Sequence, residues 1–179
     1  VQSFALLADK TGVLTGTDSG KLLSWIRQET STSNEDITTV YSYKLDSTKK
    51  LRQTLTVGGV DFIYGSISEQ ARISDDVTEV KTFVLNTDKT GLMGDGTLIN
   101  WIRQETIDDD ETFVYSYELA PNKIDRMKLG GADVYDAISK QKRISELITE
   151  VQSFALLADK TGVLTGTDSG KLLSWIRQE

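Results

Sequence analysis

The chain has 179 residues, a net charge of −7, and neither cysteine nor histidine. Those absences exclude disulfides, thiolate chemistry, the usual zinc sites and the side chain that most readily moves protons near neutrality. The acidity argues against nucleic acid, whose phosphates would be repelled. No run of about 18 apolar residues predicts a membrane span, and no signal peptide is expected at Val1.

The first 29 residues, Val1–Glu29, return without a substitution as Val151–Glu179. A more distant repeat lies between them. Val80–Thr106 matches Val1–Thr30 once three residues near Thr15–Ser19 are dropped, and the match continues as Val40-Tyr41-Ser42-Tyr43 against Val114-Tyr115-Ser116-Tyr117. Gly58-Gly59, read as a turn, then matches Gly130-Gly131. This divides the chain into a first repeat (1–79), a diverged second repeat (80–150) and a partial copy (151–179). An alternative phase gives linking strands at 1–29 and domains at 30–105 and 106–179. Function in such repeats usually lies in stacking, linking or displaying.

In chain order, Phe4–Ala8, Val13–Thr15 and Leu22–Arg27 read as short strands, punctuated by Asp9-Lys10-Thr11-Gly12 and Asp18-Ser19-Gly20. In Asp9–Gly12 and its counterpart Asp88–Gly91, the aspartate is expected to bond the turn backbone and the glycine to supply left-handed geometry. Ser24–Glu29 reads as a half-buried strand. Val40–Leu45 alternates, with Val40, Ser42 and Lys44 on one face and Tyr41, Tyr43 and Leu45 on the other. After a turn at Asp46-Ser47-Thr48, Lys49–Val57 is expected as a further strand. Val60–Glu79 and Ala132–Glu150 are read as extended with a short helix, and Asp75–Val80 leads into a strand at Phe83. Pro121-Asn122 forms the matching turn of the second repeat. The expected fold is mainly β, with tandem antiparallel β-meander repeats and little helix.

Candidate chemistry is sparse. The acidic loop Asp108-Asp109-Asp110-Glu111, matched loosely by Asn34-Glu35-Asp36, offers calcium candidates, Asp108, Asp109 and Asp110 among them, without the spacing of an EF-hand. A solvated loop is the preferred reading, and no cofactor is expected. Trp25, Trp101 and Trp175 recur before Ile-Arg-Gln, and are expected to be buried anchors of their repeats. Phe4, Phe83 and Phe154 are their partners in the structural set. No Ser–His or Cys–His pair exists, so no enzyme is expected.

From Tyr41 onward the order Tyr41–Leu45, Lys50–Gln53, Gly58-Gly59 and Arg72–Val80, with a closing strand near Trp101, resembles the globular β-sheet region of type IV pilins and minor pseudopilins. Tyr115–Leu119, Lys123–Arg126, Gly130-Gly131 and Arg143–Val151 repeat that order. The long apolar N-terminal pilin helix has no counterpart here. The resemblance implies an antiparallel sheet in an extracellular fibre. Phe4–Trp25 is also similar to the strand-turn-strand rhythm of propeller blades. The leading expectation is a structural module of an extracellular filament or surface adhesin. Its partners would be copies of itself, joined head to tail by at least one duplicated segment pairing outside its own domain. The alternative is a propeller-type module recognising glycan or protein.

Overall fold

The computed structural model describes residues 2–4, 22–56, 61–94, 96–146, 148–164 and 172–178. The expected turns at Asp9–Gly12, Asp18–Gly20 and Gly58-Gly59, and the strand at Val13–Thr15, lie outside those residues. Among the described residues there is no helix. The strands are β1 (Gln2–Phe4), β2 (Leu22–Thr30), β3 (Ile37–Tyr43), β4 (Tyr64–Arg72), β5 (Val77–Phe83) and β6 (Leu98–Asp108). They continue as β7 (Glu111–Tyr117), β8 (Lys128–Leu129), β9 (Ala132–Asp133), β10 (Tyr135–Arg143), β11 (Thr149–Phe154) and β12 (Leu172–Gln178). Ten of them form one sheet in the order β1-β2-β3-β4-β5-β6-β7-β10-β11-β12, and β8 pairs with β9. This is the expected antiparallel meander. It is not a set of separate four-stranded propeller blades.

Two expectations need correction. Val60–Glu79 and Ala132–Glu150 carry no helix among their described residues, because Tyr64–Arg72 and Tyr135–Arg143 are continuous strands. The described residues of Lys49–Val57, 49–56, form no strand. Arg52 makes an isolated bridge to Leu45, and Thr54 makes one to Phe62. Residues there turn back on the preceding strand too soon to run a ladder of their own.

The reason lies in a shorter structural period than the sequence period. Each forward strand β3, β5, β7 and β11 ends on an aromatic: Tyr43, Phe83, Tyr117 and Phe154. Two residues on come Leu45, Leu85, Leu119 and Leu156, bridged to Arg52, Leu92, Arg126 and Val163. Between them Lys49, Lys89, Lys123 and Lys160 all take positive φ, from 57° to 58°. The turn closes on itself through the amides of Asp46, Asn86, Ala120 and Leu157, which donate to the carbonyls of Leu51, Gly91, Asp125 and Gly162 at 2.8–2.9 Å. A glycine was expected at the left-handed position, but in the second of these turns Lys89 holds it and Gly91 does not. Each turn also has a side chain that accepts from its backbone: Asp46 from the amides of Lys50 and Leu51, Asn86 from Thr90 (2.9 Å) and Gly91 (3.4 Å), Asn122 from Ile124 and Asp125, and Asp159 from Thr161. Gly130 and Gly131, both at positive φ, form the tight β8–β9 hairpin as expected.

Each turn reaches beyond its own hairpin. The carbonyls of Lys49, Lys89, Lys123 and Lys160 accept from the amides of Leu22, Tyr64, Leu98 and Tyr135, at 2.7–2.9 Å. Each donor is the first residue of the return strand that precedes that turn's own forward strand. A second device recurs where the chain leaves the forward strand. Lys44 donates to Ile63, Ile63 to Gln53, and Gln53 back to Lys44, a closed ring of 2.8–2.9 Å bonds. Glu118, Val134 and Met127 make the same ring at 2.8–3.0 Å.

The chain divides into two compact units, Val1–Glu69 with Thr82–Thr97, and Gln70–Lys81 with Leu98–Glu179. Leu22, Tyr43 and Ile67 are buried in the first, and Leu98, Tyr117, Val134, Ile138 and Ala155 in the second. They cluster at the ends of forward strands and on the return strands, where the turn folds over the sheet. Elsewhere burial is partial, and Leu23 and Ile99, the second residues of β2 and β6, are exposed.

The lysine turn yields a test. A β-branched residue at positive φ is a steric outlier, so Lys123→Val should lower stability by about 1–3 kcal/mol, whereas Lys123→Gly should be tolerated. Chemical denaturation of both variants checks this, and equal stability of the two would contradict the conformation.

Candidate functional site

The sheet registers put the large side chains on one face. In the first unit Trp25 lies opposite Tyr43, Arg27 opposite Tyr41 and Glu29 opposite Thr39. Tyr64, at the start of β4, packs on both tyrosines, with ring centroids 5.6 Å from Tyr41 and 5.1 Å from Tyr43. Arg27 pairs with Glu29 and stands over the Tyr41 ring. Above these rings, Arg52 from the following turn places its guanidinium 3.6 Å from the Phe62 centroid, 4.7 Å from Trp25 and 4.8 Å from Tyr43.

The second unit repeats the arrangement. Ile102 opposite Ser116 and Arg103 opposite Tyr115 match Ile26 opposite Ser42 and Arg27 opposite Tyr41. Arg126 is the counterpart of Arg52 and lies 4.7 Å from the Trp101 centroid and 4.6 Å from Tyr117. Here Asp133 occupies the place of Phe62, so Arg126 gains ion pairs with Asp133 (3.5 Å) and with Glu79 (3.4 Å). Glu79 also accepts from the Trp101 indole N–H at 2.9 Å, and the Lys81 ammonium sits 4.3 Å from the same ring. Cation–π contacts of this sort contribute about 0.5–1 kcal/mol when exposed and about 2 when desolvated.

This geometry corrects the expected role of the tryptophans. None is a buried core residue. Trp25 and Trp101 are half-buried, shielded by an arginine of the next turn, and Trp175 is 61% exposed. Among the described residues, the groups that cover the indoles of Trp25 and Trp101 come from the following turn and, at Trp101, from Glu79 and Lys81 of β5. Phe154 stacks on Phe113 at 6.3 Å, and Phe83 lines a groove with Tyr41, Tyr64 and Ile67. The backbone of Phe4 lies in β1 opposite Leu22.

The acidic cluster behaves as a turn. The Asp108 carboxylate accepts from the amides of Asp110 (2.9 Å) and Glu111 (2.8 Å), and the Asp110 carbonyl accepts from Arg143. Asp109 lies between them. Glu111 pairs with Lys142 at 2.8 Å, which holds its carboxyl below the usual range. No group of three or more acidic residues is placed to hold a metal among the described residues.

A polar groove of about 250 Å³ is lined by Arg103, Glu105, Tyr115, Tyr117, Asp133 and Tyr135. Tyr135 stacks on Tyr117 at 5.3 Å and meets Tyr115 at 5.7 Å. Burial pushes the hydroxyls of all three tyrosines above the ordinary tyrosine value, and does the same to Tyr64 in the first unit. Tyrosine faces with nearby charges are suited chemically to a sugar ring. However, Arg103 Nε and Asp133 Oδ1, the polar atoms without partners here, are themselves buried, so a ligand on the open side would not reach them.

No protein-family model, curated protein or solved structure matches this chain. The fold is an all-β antiparallel meander. Its recurring features are a lysine-centred turn and a cation clamped on aromatic rings. Sequence reasoning missed Arg52 and Arg126. Each lies nine residues after a Tyr-Ser-Tyr strand end, and that shared spacing was the available signal.

Arg126→Ala removes one cation from two rings and two carboxylates. It should lower stability by about 1–3 kcal/mol, because Glu79 and Asp133 are left half-buried without it. Arg126→Lys should recover part of that loss. Denaturation followed by tryptophan fluorescence reads both, and an Ala variant as stable as the parent would show that the clamp adds nothing.

Proposed function

We propose that the chain is a structural repeat module of an extracellular filament or large surface adhesin, in which units are joined by β-strand pairing. The observation that carries this reading is the backbone bond from each return strand to the lysine carbonyl of the following turn, made four times with the same geometry. A repeat linked in this way hands its neighbour the same edge that it received, so strand pairing alone can extend an array. The conserved strand registers of β2–β3 and β6–β7 support the same reading. Catalysis has no part in it.

Glycan recognition by the aromatic face is the weaker alternative. Trp25 and Trp101 are already covered by arginines, and the partnerless polar atoms of the tyrosine groove are sealed from solvent.

Sedimentation velocity over a wide concentration range, with negative-stain electron microscopy of the same samples, tests the proposal. The expected result is concentration-dependent assembly into oligomers or fibres. A strictly monomeric chain at every concentration would overturn it.

A further inference from the structure

β3 and β7 are the same strand in all but two residues. They read Ile-Thr-Thr-Val-Tyr-Ser-Tyr and Glu-Thr-Phe-Val-Tyr-Ser-Tyr, and differ at their first residue and at Thr39 against Phe113. Their registers agree at that position. Thr39 lies opposite Glu29 and Phe113 opposite Glu105, just as Tyr41 lies opposite Arg27 and Tyr115 opposite Arg103. Residues two apart in a strand share a face, so Thr39 and Phe113 stand on the face of the tyrosine rings.

In the second unit Phe113 is the middle ring of a stack. Its centroid is 6.1 Å from that of Tyr115 and 6.3 Å from that of Phe154, with interplanar angles of 23° and 18°. Those are distances at which offset rings attract. The first unit supplies the same two walls. Tyr41 takes the place of Tyr115, and Phe83 closes β5 as Phe154 closes β11. Thr39 has no ring to put between them. A groove of about 320 Å³ remains, lined by Thr39, Tyr41, Tyr64, Ile67, Phe83 and Leu92. All of it lies within the first unit. Ile67 is buried, as Ile138 is in the second unit. Leu92 is 41% exposed, whereas Val163, bridged to its own turn in the same way, is half-buried.

We infer that this groove is a binding site for a small, uncharged aromatic molecule of one ring, which takes in the first unit the place that the Phe113 ring takes in the second. The ring stacks between Tyr41 and Phe83 and covers Ile67. Ligand pockets begin at about 300 Å³, so the groove holds one ring with a short substituent. An apolar recess that lacks a ring-sized side chain gains by taking up an aromatic molecule. Its walls acquire dispersion contacts, and apolar surface leaves water. A charged ring would lose hydration that these walls do not replace. One amino-acid difference, Thr39 against Phe113, decides which unit carries the site. The site is independent of how units are linked.

The probe is p-cresol, titrated into the full chain and followed residue by residue by NMR. Saturable shifts of the Ile67, Phe83 and Leu92 amides are expected, with binding in the millimolar range or tighter. Nuclear Overhauser contacts should run from the probe ring to the Ile67 and Leu92 methyl groups. Thr39→Phe supplies the ring from within the chain. It should raise the melting temperature by about 2–4 °C and weaken p-cresol binding by about tenfold or more. Phe113→Thr is the converse change and should create a second site, with contacts to the Ile138 and Val163 methyl groups. No saturable shift in the parent chain would overturn the site, and so would a Thr39→Phe variant that binds p-cresol as tightly as the parent. A folded Phe113→Thr variant without the second site would contradict the equivalence of the two places. The parent and Thr39→Phe decide the matter even where Phe113→Thr unfolds its unit.

Discussion

The structure depends on one backbone hydrogen bond, from the first amide of a return strand to the carbonyl of a left-handed lysine in the next turn. A meander with little second-layer packing buries few side chains completely, so its strand ends need another source of order. A left-handed residue reverses the direction of its own carbonyl relative to the strand it leaves. Four lysines accept that conformation, at a cost of order 1 kcal/mol each, and each aims its carbonyl at the preceding return strand. The bond is independent of side-chain identity. That explains how turns reading Asp46–Leu51, Asn86–Gly91, Ala120–Asp125 and Leu157–Gly162 can share one geometry.

The side-chain face is organised around the same turns. Each Tyr-Ser-Tyr hairpin extends an arginine back over the tryptophan of the preceding return strand. That places a cation where a globular protein would place a second layer. The two clamps differ in a way that follows from one residue. Phe62 gives Arg52 a third ring at 3.6 Å, whereas Asp133 in the equivalent place gives Arg126 a charge partner at 3.5 Å. Both choices satisfy a guanidinium held against aromatic rings, one by π-contact and the other by ion pairing.

Much of the fold was legible in the sequence. Alternation in Val40–Tyr43 located β3 and its faces, the Trp-Ile-Arg-Gln runs located β2, β6 and β12, and Gly130-Gly131 marked a tight turn. The shorter period was hidden because the forward strands share only an aromatic, a leucine and a lysine at fixed offsets, and lysine carries no turn signal. Tyr64–Arg72 and Tyr135–Arg143 were obscured by Ser, Gln, Glu and Lys, which blur a period of two in a strand accessible on both faces. The tryptophans misled for a related reason. A recurring Trp suggests a core anchor, but whether a core exists to receive it depends on a second layer, and no local pattern reports that. In the acidic run only Asp109 and Asp110 form the turn, because Asp108 ends β6 and Glu111 opens β7.

Amide hydrogen exchange, resolved by residue, tests the central interaction most directly. The account predicts that the amides of Leu22, Tyr64, Leu98 and Tyr135, although each opens its strand, exchange as slowly as mid-strand amides such as those of Gln104 and Val114. Rapid exchange at these four positions, with the strand centres still protected, would contradict the claim that the lysine carbonyls hold successive repeats together.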